Sequence, residues 1–434
     1  MEEWERMTTL VLASAYLALL LLRGALALSY ARTIPPQSRA ALPAGSLTIV
    51  QPILSGDPLL ESRLSANLGA LPDQSFLWLI DDDDPEARRI TAALAAAHPD
   101  VDLRVEICPP CPDAINPKLW KLRRAAEIAQ SPHFCVLDDD TTLPASSAAD
   151  LAAAADSHTV ATGMPCYSDD GNLPSGLLAQ FVNNNSAFTY LGTSRLLRPF
   201  TLNGMGYVMR REELAEIENF EPILHELTDD LALATLILRQ GGRIRQSAAP
   251  LRVRTGVRSL AQYFQLMHRW HVFTLLLLRR QSLPVQMLII VLHGLPPILL
   301  AALFAVTAAR PASAPVLAAV LLLRLLVIVA IQRKFFRHER SRAHRADVGD
   351  SAPAGHDAQT LASQGGSAAC PGLEDGAPPG QKPAMPDGPL HRPAVSILSE
   401  LLQPVHLAHA LVSRTVRWRS RRYRVRDSHN FSAV

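Results

Sequence analysis

Three apolar runs decide what this 434-residue chain can become. Thr8 to Tyr30 is apolar along almost its whole length, interrupted chiefly by Arg23 and Gly24. Met287 to Ala308 and Ala312 to Ile331 repeat the pattern late in the chain. Each is close to the roughly 20 residues that a helix needs to cross a bilayer. Inside hydrocarbon such a run must be helical, because its backbone N–H and C=O groups have no water to bond. The layout that follows is an anchor over 8–30 and a hairpin over 287–331, turned at Ala309–Pro311. Pro296 and Pro297 are expected to kink the first arm of the hairpin. No small-residue cleavage pattern follows a basic start, so the first run reads as an anchor rather than a removed signal peptide. Charged residues are 19% of the chain, below the roughly 25% usual for soluble domains, as lipid-embedded segments require.

Charge placement orients these runs. Arg279 and Arg280 precede the hairpin; Arg333, Lys334, Arg337, Arg340, Arg342 and Arg345 follow it, while its turn holds only Arg310. By the positive-inside tendency both flanks are cytoplasmic, which makes 31–286 cytoplasmic and the protein a multi-pass one. The Arg- and Ala-heavy composition leans towards a bacterial inner membrane. Arg23 and Arg324 lie within spans, where they line a lipid-headgroup path or, the commoner fate, snorkel or join helix pairs. Residues 346–392 are rich in Gly, Ala, Pro, Ser and Asp without periodicity and read as a disordered linker. Beyond it, 393–426 reads as an interfacial or re-entrant segment with a basic tail. Val395–Val412 carries Glu400, Gln403, His406 and His409, and the Arg417–Arg426 cluster, with Trp418 and Tyr423, suits an anionic lipid surface.

The remainder, 45–258, reads as α/β. Leu47–Leu54, Phe76–Asp81, Leu103–Ile107 and Phe134–Asp138 are nearly continuous apolar runs of buried-strand length. Between them Pro58–Leu68, Pro85–Ala97 and Leu119–Ala129 have helical patterns, with Pro58 and Pro85 suited to a first helical position. Strand–helix alternation indicates a parallel βαβ sheet, whose ligands bind at the carboxyl ends of strands. The 42 Lys+Arg against 40 Asp+Glu exclude a generally basic nucleic-acid binder and an acidic disordered chain. Only Lys118, Lys121, Lys334 and Lys382 are lysines, so a well-placed Lys stands out. Five cysteines make no disulfide scaffold; Cys108 and Cys111 form a CxxC without a second ligand pair, and Cys135 suits a core strand.

Two acidic clusters fall at strand ends, Asp81–Asp84 and Asp138–Asp140. Adjacent carboxylates repel one another, and a divalent cation bridging Asp138 and Asp140 to a diphosphate is one remedy. A solvated loop or a helix cap is the bland alternative, most plainly for the residues around Asp81–Pro85. A third pair, Asp229–Asp230, follows Thr228 and opens the helical run Leu231–Arg239. Thr228 there is a candidate cap, and a carboxylate of the pair is a candidate general base for an acceptor hydroxyl. Over 259–286 the pattern is that of an amphipathic interface helix, Leu260–Leu278, carrying His268-Arg269-Trp270. A cation and an indole there can close over a diphosphate from the membrane side, or simply anchor at the interface.

The ordered set Asp81, Asp138-x-Asp140, Asp230, Arg269-Trp270 resembles the D, D, D, (Q/R)xxRW series of membrane-bound, inverting family 2-like glycosyltransferases. The closer resemblance is to the ceramide glucosyltransferase group. Gln51-Pro52-Ile53-Leu54-Ser55-Gly56-Asp57-Pro58 is similar to that group's KPLxGxDP opening, and Asn116-Pro117-Lys118, Gly192-Thr193-Ser194 and the Asn203–Arg210 stretch also match. Trp418–Arg424 resembles its closing WRxGRYR. The likeness runs over 47–332 and resumes near 393. The chain departs from it at Leu266, where Gln or Arg is expected three before Arg269, and at Arg195, where animal members place His.

The resemblance implies a GT-A-like nucleotide-binding fold and transfer of a sugar, glucose first, from a UDP-sugar to the hydroxyl of a membrane lipid, ceramide first. It implies Pro52, Asp81, Lys118, Asp138, Arg269 and Trp270 in nucleotide-sugar binding, Asp138 and Asp140 at a Mg²⁺ or Mn²⁺ ion, and Asp230 as base. The alternatives are a hopanoid or other lipid acceptor with a UDP-GlcNAc donor, a processive polysaccharide synthase, which should need more spans, and a catalytically silent scaffold of the same fold.

Overall fold

A computed structural model describes residues 2–34, 42–336, 391–413, 415–418, 421–425 and 431–433. The linker expected over 346–392 lies almost wholly outside the described residues, as do the side chains of the basic tail. The strands are β1 (Leu47–Pro52), β2 (Ser75–Asp81), β3 (Leu103–Cys108), β4 (His133–Leu137), β5 (Thr141–Thr142), β6 (Thr159–Asp169), β7 (Gly206–Arg210) and β8 (Arg243–Thr255). A separate small sheet joins β9 (Thr415–Trp418), β10 (Arg421–Val425) and β11 (Phe431–Ala433). The helices before the site are α1 (Glu2–Ala31), α2 (Leu60–Ala70), α3 (Pro85–Ala97), α4 (Pro117–Ile128) and α5 (Ala145–Ala154). They are followed by α6 (Leu173–Ser186), α7 (Thr193–Leu196), α8 (Glu212–Glu216), α9 (Asp229–Arg239) and α10 (Leu260–Arg279). The chain closes with α11 (Leu283–Ile289), α12 (Leu295–Ala309), α13 (Ala314–Phe336), α14 (Pro393–Leu401) and α15 (Gln403–Val412).

The main sheet has the order β3-β2-β1-β4-β7-β6-β8-β5. Its first four members are parallel, as the apolar runs predicted. Strand β7 runs against both neighbours, β6 and β8 are parallel, and β5 is antiparallel to β8, so the sheet is mixed rather than purely parallel. Side chains alternate between two cores. Val50, Leu77, Leu79 and Val136 face one, while Ile49, Phe76, Trp78, Ile80 and Cys135 face the other. Local chemistry sets the helix starts. Asp84 accepts from Ala87 N at 2.9 Å with Pro85 first in α3, the cap reading of that cluster. Helix α2 opens at Leu60 rather than Pro58, because Asp57 first turns the chain by accepting from Leu59 N at 2.9 Å.

Four helical stretches have the length and composition to cross a membrane: Arg6–Ala31, Leu283–Ala309, Pro311–Phe336 and Pro393–Val412. The last, expected as interfacial, is divided at Leu402 into α14 and α15. A π-helical turn, Ile290–Gly294, precedes Pro296 and Pro297, which have no N–H to give to the carbonyls one turn back. Helices α1, α12 and α13 share a cluster that includes Met164 and Cys166 of β6 and Phe188 and Leu191 of a second π-helical turn, Ala187–Gly192. The apolar bundle is thereby packed directly on the sheet. Arg324 is buried and pairs with Glu400 at 2.7 Å, and Arg23 donates to Asn185 Oδ1 at 2.9 Å. Both make helix–helix contacts.

Candidate active site

Helix α4 carries two lysines one turn apart into the carboxyl edge of the sheet. Its first turn is fixed by Asn116, whose Oδ1 accepts from Lys118 N (3.0 Å) and Leu119 N (3.4 Å). The same amide donates to Glu226 O (3.0 Å) and Leu227 O (3.3 Å), tying α4 to the segment that leads into α9. Lys118 Nζ therefore sits between elements: 2.7 Å from Asp138 Oδ1 beyond β4, 2.8 Å from Asp229 Oδ2 at the start of α9, and donating to Gly204 O at 3.0 Å. Gly204 backs onto Asp230. A Cβ there would come to 3.2 Å from Asp230 Cβ and 3.3 Å from its Oδ2, so a larger residue would press on that carboxylate. Asp140 follows in the same turn and accepts from Thr141 Oγ1 at 3.0 Å.

The second lysine serves the neighbouring strand end. Buried Lys121 pairs with Asp81 Oδ2 at 2.8 Å and donates to Ile53 O at 2.9 Å. The loop after Pro52 is held at both following residues: Leu54 N donates to Asp139 Oδ2 (2.8 Å) and Ser55 N to Asp84 Oδ2 (2.9 Å). Asp139 and Asp84 are thus scaffold, and Asp82 forms an exposed pair with Arg88. Only β1 separates β2 from β4, so Asp81 and Asp138 end strands about 10 Å apart across the sheet.

Crowding shapes the protonation of these groups. Burial, with the repulsion of Asp140 and Asp229, pushes the Asp138 carboxyl up to about 6 against the pull of Lys118. Burial, followed by the charge of Asp229, pushes Asp230 up to about 7. Lys118 is driven well above the usual lysine range because the pull of Asp138 and Asp229 outweighs its desolvation. Tyr207, buried on β7, and Tyr167, on β6, have their phenols raised by burial, Tyr207 beside Asp229 and Tyr167 beside Asp140.

From α10, Arg269 acts on the same Tyr167 phenol that Asp138 and Asp140 influence. Trp270 packs edge-on to Tyr167, with centroids 6.4 Å apart, and at 6.2 Å from Phe181 of α6. Leu266 joins that apolar cluster, whereas His268 turns away to stack on His409 of α15 at 4.1 Å. Thr228 makes no cap; its hydroxyl is buried without a partner.

The sequence from residue 7 to 346 matches the family model described as glycosyl transferase family 21. The chain belongs to glycosyl transferase family 21. It is accordingly a glycosyltransferase. Among solved structures it is similar to the mannosyltransferase PcManGT from Pyrobaculum calidifontis in complex with GDP-Man and Mn2+, at 17% identity and a TM-score of 0.44, covering 79% of this chain and 96% of that one. It is also similar to S. aureus TarS 1–349 in complex with UDP-GlcNAc, at 13% identity and a TM-score of 0.34, covering 70% and 88%. No curated protein gives a significant sequence match.

In this family 21 chain the expected residues gather in three neighbouring sets. Asp138, Asp140 and Lys118 cluster around Asp229 and Asp230; Asp81 joins through Lys121 and the Pro52 loop; Arg269 and Trp270 approach through Tyr167. Sequence reasoning read Asp229 only as one of a pair with Asp230 and gave no site role to Lys121, Tyr167 or Tyr207. For Lys121 a signal existed, since two of four lysines share one helical turn. The paired carboxylates Asp138 and Asp140 suit a hard divalent cation, being oxygen donors that repel one another in a desolvated corner. The described cluster with three ligand atoms within 4.8 Å of each other lies elsewhere: His158, Glu213 and Glu216, at the amino end of β6 and on the opposite edge of the sheet.

Proposed function

We propose that this family 21 glycosyltransferase moves a sugar, glucose first among candidates, from a UDP-sugar to the hydroxyl of a membrane lipid, ceramide first among acceptors. The observation that carries the reading is the junction of a carboxylate cluster with an apolar helix bundle. Asp138 and Asp229 meet at Lys118, Asp230 lies against Gly204, whose carbonyl accepts from the same lysine, and α1, α12 and α13 pack on the neighbouring β6 and π-helical turn. A lipid acceptor rationalises that junction. Its tail is held in the bilayer by about 0.8 kcal/mol per CH₂, so the site must come to the headgroup. The basic flanks Arg279, Arg280, Arg333 and Lys334 favour a cytoplasmic face for the site.

The reaction is a single displacement with inversion. Asp230 takes the proton of the acceptor hydroxyl, the oxygen attacks the anomeric carbon, and the bond to the diphosphate breaks with its electron pair leaving on UDP. Asp81, set by Lys121, faces the nucleoside; Lys118 and Arg269 stand near the diphosphate, and Trp270 borders the acceptor side. Mg²⁺ or Mn²⁺ held by Asp138 and Asp140 supplies neutralisation of the leaving diphosphate. The deciding experiment supplies membranes containing the protein with radiolabelled UDP-sugars and a panel of lipids. A labelled ceramide product that vanishes in Asp230→Asn is expected, and transfer to water or to soluble sugars alone would overturn the lipid acceptor.

A further inference from the structure

At the amino end of β6, across the sheet from the carboxylate cluster, His158 meets Glu213 and Glu216. His158 stands in the turn before β6, while the two glutamates lie three positions apart on one face of α8. His158 Nδ1 is 3.0 Å from Glu216 Oε2 and 3.6 Å from Glu213 Oε2, and one ligand atom from each of the three residues lies within 4.8 Å of the other two. The backbone fixes where the imidazole starts. His158 N donates to Glu213 Oε1 at 2.7 Å, its carbonyl accepts from Arg243 N at 2.7 Å, and its φ is 55°. Charge is the second observation. The Glu213 side chain is only 8% exposed, yet among the described residues no lysine or arginine comes within ion-pair distance of it or of Glu216. The neighbouring arginines are engaged elsewhere: Arg210 with Glu212 at 2.6 Å, Arg243 and Arg245 with Asp156 at 3.6 and 3.2 Å. Burial, with the Glu216 carboxyl beside it, pushes the Glu213 carboxyl above the ordinary carboxylate range.

We propose that His158, Glu213 and Glu216 hold a divalent transition-metal ion of the Zn²⁺ type, at a site separate from the Asp138–Asp140 pair. Ligands about 2.0–2.1 Å from a tetrahedral ion stand roughly 3.3 Å from one another. The separations of 3.0 and 3.6 Å from Nδ1 bracket that spacing. One imidazole nitrogen and two carboxylate oxygens are donors that zinc accepts, and water completes the tetrahedron on the open side, where the His158 and Glu216 side chains are 60% and 48% exposed. Ligation at Nδ1 leaves the imidazole proton on Nε2, and the ion supplies the positive charge that the two carboxylates lack. Bound there, it fastens α8 to the start of β6. The site is structural, so the inference stands apart from the donor and the acceptor.

The test is titration of the full chain, free of any histidine tag, with Zn²⁺ in detergent, with Mg²⁺ in excess to occupy the Asp138–Asp140 pair. Calorimetry reads the affinity and thermal unfolding reads the effect on the fold. The wild type is expected to bind Zn²⁺ and to melt at a higher temperature with it. His158→Asn, whose side chain tolerates the left-handed backbone, and Glu216→Gln, at an exposed position, should each weaken that binding at least about tenfold and remove the thermal shift. No Zn²⁺ binding by the wild type, or unchanged affinity in either variant, overturns the proposal. A variant that lowers the melting temperature equally with and without Zn²⁺ has lost only the His158–Glu216 hydrogen bond, and that result overturns it too.

Discussion

In the proposed mechanism Asp230 combines a task with a cost. Its carboxyl, raised to about 7 by burial and by Asp229, must be deprotonated to act as base, so transfer is expected to climb as pH rises through about 7. Stability moves the other way. The folded state holds that proton more tightly than the unfolded chain, so between the ordinary carboxylate range and about pH 7 the fold loses stability as pH rises. Asp230→Asn should therefore abolish transfer yet raise the melting temperature at pH 8 relative to wild type. An unchanged or lower melting temperature would count against the burial assigned to Asp230. Lys121 makes a different prediction. Lys121→Met leaves Asp81 without its partner, and about 2–3 kcal/mol of stability should go, less than for a fully buried pair because Asp81 is partly exposed. Donor KM should rise about tenfold with a smaller change in kcat, since the proposed mechanism puts the pair in donor binding rather than at the reacting carbon.

At the scale of elements, the start of α4 is the joint on which the site turns. Asn116→Ala removes the cap and the two bonds to the segment before α9, so a loss of about 1–2 kcal/mol is expected, read by denaturant unfolding, with kcat falling as Lys118 loosens. The same element shows what could be read from the sequence. Strands β1 to β4 and helix α3 were legible because an apolar run or a 3.6-residue period is a local signal, and Asp138 and Asp230 were legible as acids placed at element ends. Strands β6 to β8 were not. Arg243, Arg245, Arg252 and Arg254 interrupt β8, and its burial comes from pairing with β6 rather than from an apolar run. Lys118 likewise read as a donor contact, whereas its two carboxylate partners lie 20 and 111 positions away, a closeness that only the sheet creates.

Across the whole molecule, Arg324, Glu400 and Tyr16 join α13, α14 and α1 through buried polar contacts. Glu400→Ala strands Arg324 in the bundle and should cost about 3–5 kcal/mol, most of it recovered in the Glu400→Ala/Arg324→Leu double variant; thermal unfolding of the set in one detergent measures it. At its far end the same C-terminal stretch is fastened to α10, where His406 shares a hydrogen bond of 3.0 Å with Tyr263 Oη and His268 meets Thr415 O at 3.2 Å. Side-chain contacts hold α14 and α15 against α1, α10 and α13. The polypeptide is then severable: fragments 1–336 and 391–434, expressed as separate chains in one cell, should find each other and co-purify as a working pair.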